Sequence, residues 1–94
     1  MIADHGEEFL EHGRIGHGHG LWRNLVRVPF ILHIPEVAPR RIAEPVSLVD
    51  LLPTLCAAAD IPAPKAVSGV DALELLPPEK EREVFTLLLD SLKA

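Results

Sequence analysis

Only one cysteine, Cys56, stands in the 94 residues, so no internal disulfide forms and a disulfide-stapled secreted framework is excluded. Basic residues are scarce too, nine Lys and Arg against fourteen Asp and Glu, for a formal net charge of -5. Non-specific nucleic-acid binding needs clustered cations to meet phosphates. The only adjacent basic pair is Arg40–Arg41, and nucleic acid is set aside as a partner. No run approaches the roughly 20 apolar residues of a membrane span. The N-terminus carries Asp4, His5, Glu7 and Glu8 in place of the basic and then apolar pattern of a secretory signal. Internal repeats and low-complexity segments are absent, and no motif bears on oligomeric state or compartment.

What is present is ordinary globular material. Hydrophobic residues make up 48% and charged ones 24%, enough apolar content for a core and too much for a disordered chain. A chain of this length holds one small domain with little stability to spare. Met1 runs almost directly into a dense polar motif, so the start reads as truncated.

Five of the six glycines and four of the five histidines fall in the first twenty residues. The polar side chains there follow neither a helical nor a strand period, so the segment reads as a functional loop. Leu21, Trp22, Leu25 and Val26 then suit an amphipathic helix of about two turns. The apolar run Val28–Ile34, bounded by Pro29 and Pro35, reads as a buried strand with His33 a structural residue inside it. A polar loop follows, then a second extended segment over Ile42–Val46.

Ser47 precedes Leu48, Val49, Leu51, Leu52, Leu55 and Cys56, with Asp50 three residues on. This Ser-x-x-acid pattern predicts an N-cap and a helix to about Ala59. Proline deep in a helix costs about 3 kcal/mol, so Pro53 demands a kink or an early start that keeps it in the first turns. Cys56 falls on this helix as a buried structural thiol. Residues 60–69 make a loop, Val70–Leu76 one helical turn, and Glu79–Ala94 a tail that leans towards helix.

Asp4 and His5 offer an oxygen and an imidazole side by side. Gly6 allows the backbone to turn so that both point at one ion, which suits a divalent metal with mixed ligands; two surface residues at a turn would have the same spacing. Glu7 and Glu8 read as solvated, or as acceptors behind a ligating imidazole. His12, His17 and His19 lie in the glycine-rich loop, and their alternation with glycine also fits a metal-binding tract of its own.

Together these strings resemble a known family. Ala3-Asp4-His5-Gly6-Glu7-Glu8-Phe9, Glu11-His12-Gly13, Gly16-His17-Gly18, Arg27-Val28-Pro29-Phe30-Ile31 and Pro45-Val46-Ser47-Leu48-Val49-Asp50-Leu51-Leu52-Pro53-Thr54-Leu55 match, in order and spacing, the later part of the sulfatase catalytic domain of the alkaline-phosphatase superfamily. The resemblance covers residues 1–69, with 70–94 an unassigned tail of the same partial domain. It implies an α/β sandwich with a mostly parallel central sheet, whose ligands bind outside the carboxyl ends of the strands. It implies that Asp4 and His5 are the late pair of metal ligands, for a divalent ion that is Ca, Mn or Zn. It implies, too, a basic residue shortly after that pair, His17 or His19, that contacts the transferred group or protonates the leaving oxygen. The substrate would be a sulfate ester, or a phosphate or phosphonate ester.

The family's nucleophile, a Cys or Ser in Cys/Ser-x-Pro-x-Arg that becomes formylglycine, is missing, since Cys56 stands in Leu-Cys-Ala-Ala-Ala. The early Asp-Asp metal pair is missing as well. The chain alone is therefore expected to be inactive and, lacking the neighbouring strands of the sheet, to be poorly soluble or partly disordered. The alternative reading is a stand-alone metal-binding or interaction module built on the histidine loop.

Overall fold

The computed structural model describes residues 1–75 and Val84, which fall into two compact units, Met1–Leu32 and His33–Val84. The expected helical tail lies outside the described residues apart from Val84.

In the first unit the glycine-rich segment is not a featureless loop. It holds an antiparallel hairpin of β1, Glu8–Phe9, and β2, Ile15–Gly16, with Glu8 opposite Gly16 and Phe9 opposite Ile15. The connection closes through Leu10 N–H to the Arg14 carbonyl at 2.9 Å and Gly13 N–H to the Leu10 carbonyl at 3.0 Å. Leu10 holds a positive φ of 76°, a left-handed conformation uncommon for a side chain of that size.

A single helical turn follows, α1 over Arg23–Val26, shorter than the two turns expected. The chain leaves it in extended conformation at Arg27, and Val28 precedes Pro29, a position biased away from helix. Leu25 is the buried residue of α1, and its carbonyl accepts the Gly6 N–H at 2.7 Å. A Cβ on Gly6 would sit 1.8 Å from the Asn24 carbonyl oxygen. Gly6 thus serves close approach to α1, and it is not among the residues of positive φ.

The apolar run Val28–Ile34 does not form a continuous strand. It makes one antiparallel bridge, Ile2 with Phe30, extended by Met1, whose carbonyl accepts the Ile31 N–H at 2.8 Å and whose amino group donates to the Ile31 carbonyl at 2.6 Å. A strand exists only where a neighbouring backbone takes up its polar groups, and among the described residues the ladder bonds to this run come from Met1 and Ile2 alone. His33 is exposed, so its place inside a buried strand is also corrected. No ladder forms over Ile42–Val46. Among the described residues the hairpin is the only sheet, and a mostly parallel one is not formed there.

The second unit is organised by Ser47 and Asp50, as the sequence predicts. Ser47 Oγ accepts the Val49 N–H at 3.5 Å while Asp50 Oδ2 accepts the Ser47 N–H at 2.8 Å. A 3-10 turn, Leu48–Asp50, leads into α2, Leu51–Ala58. Pro53 therefore lies in the first turn of α2, where its missing N–H is tolerated. The helix ends in a Schellman arrangement: Asp60, at φ 54°, donates to Ala57 at 3.2 Å and Ile61 donates to Cys56 at 2.8 Å. Cys56 is half-buried and not fully enclosed as expected.

Polar atoms also fasten the following segment. Thr54 Oγ1 donates to the Asp50 carbonyl at 2.6 Å and accepts the Ala72 N–H at 2.9 Å, while Asp50 Oδ1 accepts the Val70 N–H at 3.0 Å. Asp50, Thr54 and Ala72 are buried. A 3-10 turn over Ala72–Glu74, capped by Asp71, occupies the expected helical turn. Among the described residues no helix is long and apolar enough to cross a membrane.

Candidate metal centre

Asp4 and His5 sit where the chain runs from the Ile2 bridge towards β1, and the Asp4 side chain is 89% exposed. His5 Nδ1 lies 2.8 Å from the Gly6 carbonyl oxygen. A carbonyl only accepts, so that nitrogen carries the proton and Nε2 keeps the lone pair. Nε2 is also the nitrogen near Asp4, 3.6 Å from Oδ1. Two donors at that separation fit one divalent ion with bonds of about 2.0–2.2 Å. An imidazole whose second nitrogen donates to a backbone carbonyl has the support that metal-bound histidines generally show. The donor set present therefore fits a divalent cation.

Glu7 and His17 complete a cluster with His5, each offering a ligand atom within 4.8 Å of the others, all three residues exposed. Glu7 Oε1 is 3.7 Å from His5 Nδ1 and pairs with His17 Nδ1. The His5 and His17 rings stack, with centroids 3.7 Å apart and planes inclined by 25°. Metal ligation through His5 Nδ1 would break the bond to Gly6, so ligation through Nε2 beside Asp4 is the arrangement that keeps every bond.

His19 goes elsewhere. Its Nε2 meets Glu8 Oε2, and His12 Nδ1 meets Glu8 Oε1. Glu8 has no exposed surface, the His19 side chain is 13% exposed, and His12 stacks on Trp22 at 3.8 Å with planes 5° apart. Burial pushes the Glu8 carboxyl up, but the hydrogen bonds and charge of His12 and His19 outweigh it and hold its pKa below the ordinary value.

The sorting of these side chains follows from strand geometry. Successive residues of an extended chain point to opposite faces, so Glu7 serves His5 and His17 while Glu8 serves His12 and His19. His17 and His19, two apart, would share a face in an extended chain, yet they part. Gly18 between them has φ 82°, a turn that only glycine makes without strain. Sequence reading brought Asp4, His5 and His17 together but put His19 on an equal footing with His17, and it left Glu8 as a solvated or supporting acid. The available signal was the extended Glu-Glu pair next to four histidines. A three-imidazole site of His12, His17 and His19 is not what the loop builds, because two of them grip Glu8.

A family model, Sulfatase, matches residues 1–61. The uncharacterised sulfatase YidJ of Escherichia coli K12 is 37% identical over 76 residues, covering 81% of this chain and 15% of that protein. Steryl-sulfatase of Mus musculus is 34% identical over 104 aligned residues, 94% of this chain and 17% of its own. Arylsulfatase K of Xenopus laevis is 30% identical over 85, 89% and 16% respectively. No solved structure matches the chain. The chain thus spans 15–17% of the length of these curated relatives. With the matched residues running from the Asp4–His5 pair through the capped helix α2, the chain belongs to the sulfatase family.

Proposed function

We propose that this chain carries the late metal-ligand pair and the histidine-bearing substrate loop of a metal-dependent hydrolase of sulfate esters, or of phosphate or phosphonate esters. The observation that carries the reading is the Asp4–His5 pair, with His5 Nδ1 committed to the Gly6 carbonyl at 2.8 Å and Nε2 beside Asp4 at 3.6 Å. Asp4 Oδ1 and His5 Nε2 would hold a divalent ion, Ca, Mn or Zn, and when bound it polarises the ester's non-bridging oxygens and lowers the barrier to attack.

The chain's own residues do the rest of their share by position. Glu7 orients His17 and adds negative charge beside His5. A loop imidazole, His17 or His19, holds the transferred group by a ring N–H or passes that proton to the departing oxygen. Steryl-sulfatase and arylsulfatase K by name act on sulfate esters, which favours sulfate as the substrate class. The mostly parallel central sheet of the alkaline-phosphatase-like sandwich would then be supplied by the parent domain, outside the elements described above. No nucleophile motif and no early Asp-Asp pair stand in the 94 residues, so the chain alone is inactive.

The test is the purified chain on aryl sulfate, aryl phosphate and phosphodiester substrates with Ca, Mn or Zn. Turnover no greater than with metal alone is expected. Turnover well above it, or Zn binding indifferent to Asp4→Ala, overturns the reading.

A further inference from the structure

We propose that Glu8 is a positioning residue: its buried carboxylate grips His12 and His19 by one oxygen each, which leaves His17 as the loop histidine that meets the ester group. This deepens the functional reading above, on which the role of His17 rests, and chooses between two histidines that the sequence leaves equivalent.

Three observations carry it. A carboxylate is acceptor-only, so the ring nitrogen facing each oxygen must bring the proton. His12 is therefore the Nδ1–H tautomer and His19 the Nε2–H tautomer, opposite forms held by one acid. Second, both rings are confined, His19 by burial and His12 by its stack on Trp22. Third, His17 gives Nδ1–H to Glu7, stacks on His5 and is half exposed. Its Nε2 has no protein partner among the described residues, so it is the nitrogen available to a ligand.

A buried carboxylate without partners is strongly unfavourable, and two N–H donors satisfy both oxygens of Glu8. A glutamine cannot reproduce this. Its amide nitrogen donates, and would set a donor against one of the two ring N–H groups.

The test uses the 94-residue chain with 15N-labelled histidine at about pH 8, above the ordinary imidazole range. Long-range proton–nitrogen spectra should show His12 as Nδ1–H and His19 as Nε2–H. Glu8→Gln should abolish at least one of these signatures and leave His5 unchanged. Diethyl pyrocarbonate, which attacks the unprotonated ring nitrogen, followed by mass spectrometry, should modify His19 several-fold more slowly than His17, because the His19 side chain is 13% exposed and that of His17 50%. Glu8→Gln should erase that difference. Equal modification of His17 and His19 in the unsubstituted chain, or His12 and His19 in the same tautomer, overturns the proposal even if the variant fails to fold. Failure of the functional reading is visible separately, as the absence of any Zn-induced shift at His5.

Discussion

His5 gives its Nδ1 proton to the carbonyl of Gly6, the residue whose own N–H is taken by Leu25 in α1. The ring that faces Asp4 is thereby tied through one residue, Gly6, to the backbone of Leu25, the only buried apolar residue of the described first unit. Its orientation is set by main-chain bonds and does not wait for a ligand.

Metal binding should therefore depend on Asp4 and His5 above all. Asp4→Ala should weaken Zn or Mn binding at least about tenfold, equivalent to about 1.4 kcal/mol. Glu11→Ala, remote from the pair, should leave it unchanged. Calorimetric titration of the two variants decides this, and equal losses would remove Asp4 from the ligand set.

Acid should loosen the hairpin in a defined direction. The Glu8 pKa is depressed on folding, since the contacts with His12 and His19 outweigh burial. The stabilisation it brings is complete above the ordinary carboxyl value of 4.5 and is lost as pH falls through the lowered folded value. A carbon-13 titration of the Glu8 carboxyl should give a midpoint below 4.5; a midpoint above it would mean that burial prevails.

Thr54→Val keeps the shape of the side chain but removes the acceptor of the Ala72 N–H. Leaving a buried donor unpaired costs about 1–3 kcal/mol. Urea unfolding followed by helical circular dichroism should show that loss. Ser47→Ala, which removes only the half-exposed cap, should cost about 1 kcal/mol.

Val49, Leu52 and Leu55 recur every three residues along the 3-10 turn and α2, and all three are exposed. Phe9 and Ile15, paired across the hairpin, are 73% and 70% exposed. Apolar groups presented in this way drive association. Sedimentation of the isolated chain should show concentration-dependent oligomers or aggregates, reduced by Leu52→Lys combined with Leu55→Lys. A monomer at high concentration would contradict this.

The helix α2 was legible because its start is written in local chemistry: a hydroxyl and a carboxylate three residues apart, each bonding the other's end of one turn. The closeness of the Asp4 and His5 side chains was legible for a similar reason, the two being adjacent in sequence. The run Val28–Ile34 was misread because a strand depends on what lies beside it, and only Ile2 pairs with Phe30. That Glu8 accepts from imidazoles was one of the readings open in the sequence, but its burial was not legible, because two neighbouring glutamates look alike in sequence and only the direction each takes from the chain decides which is enclosed. The division of His17 from His19 turned on one backbone angle at Gly18, which a His-Gly-His string permits without requiring.

The alternation that sends Glu7 one way and Glu8 the other makes the loop sensitive to parity. Inserting one residue between Gly6 and Glu7 would conserve every acid and every imidazole, yet exchange the inner and outer acids. An insertion of two residues would restore the original assignment. Counted by composition the three chains are nearly the same; counted odd or even from Gly6, only two of them build this arrangement.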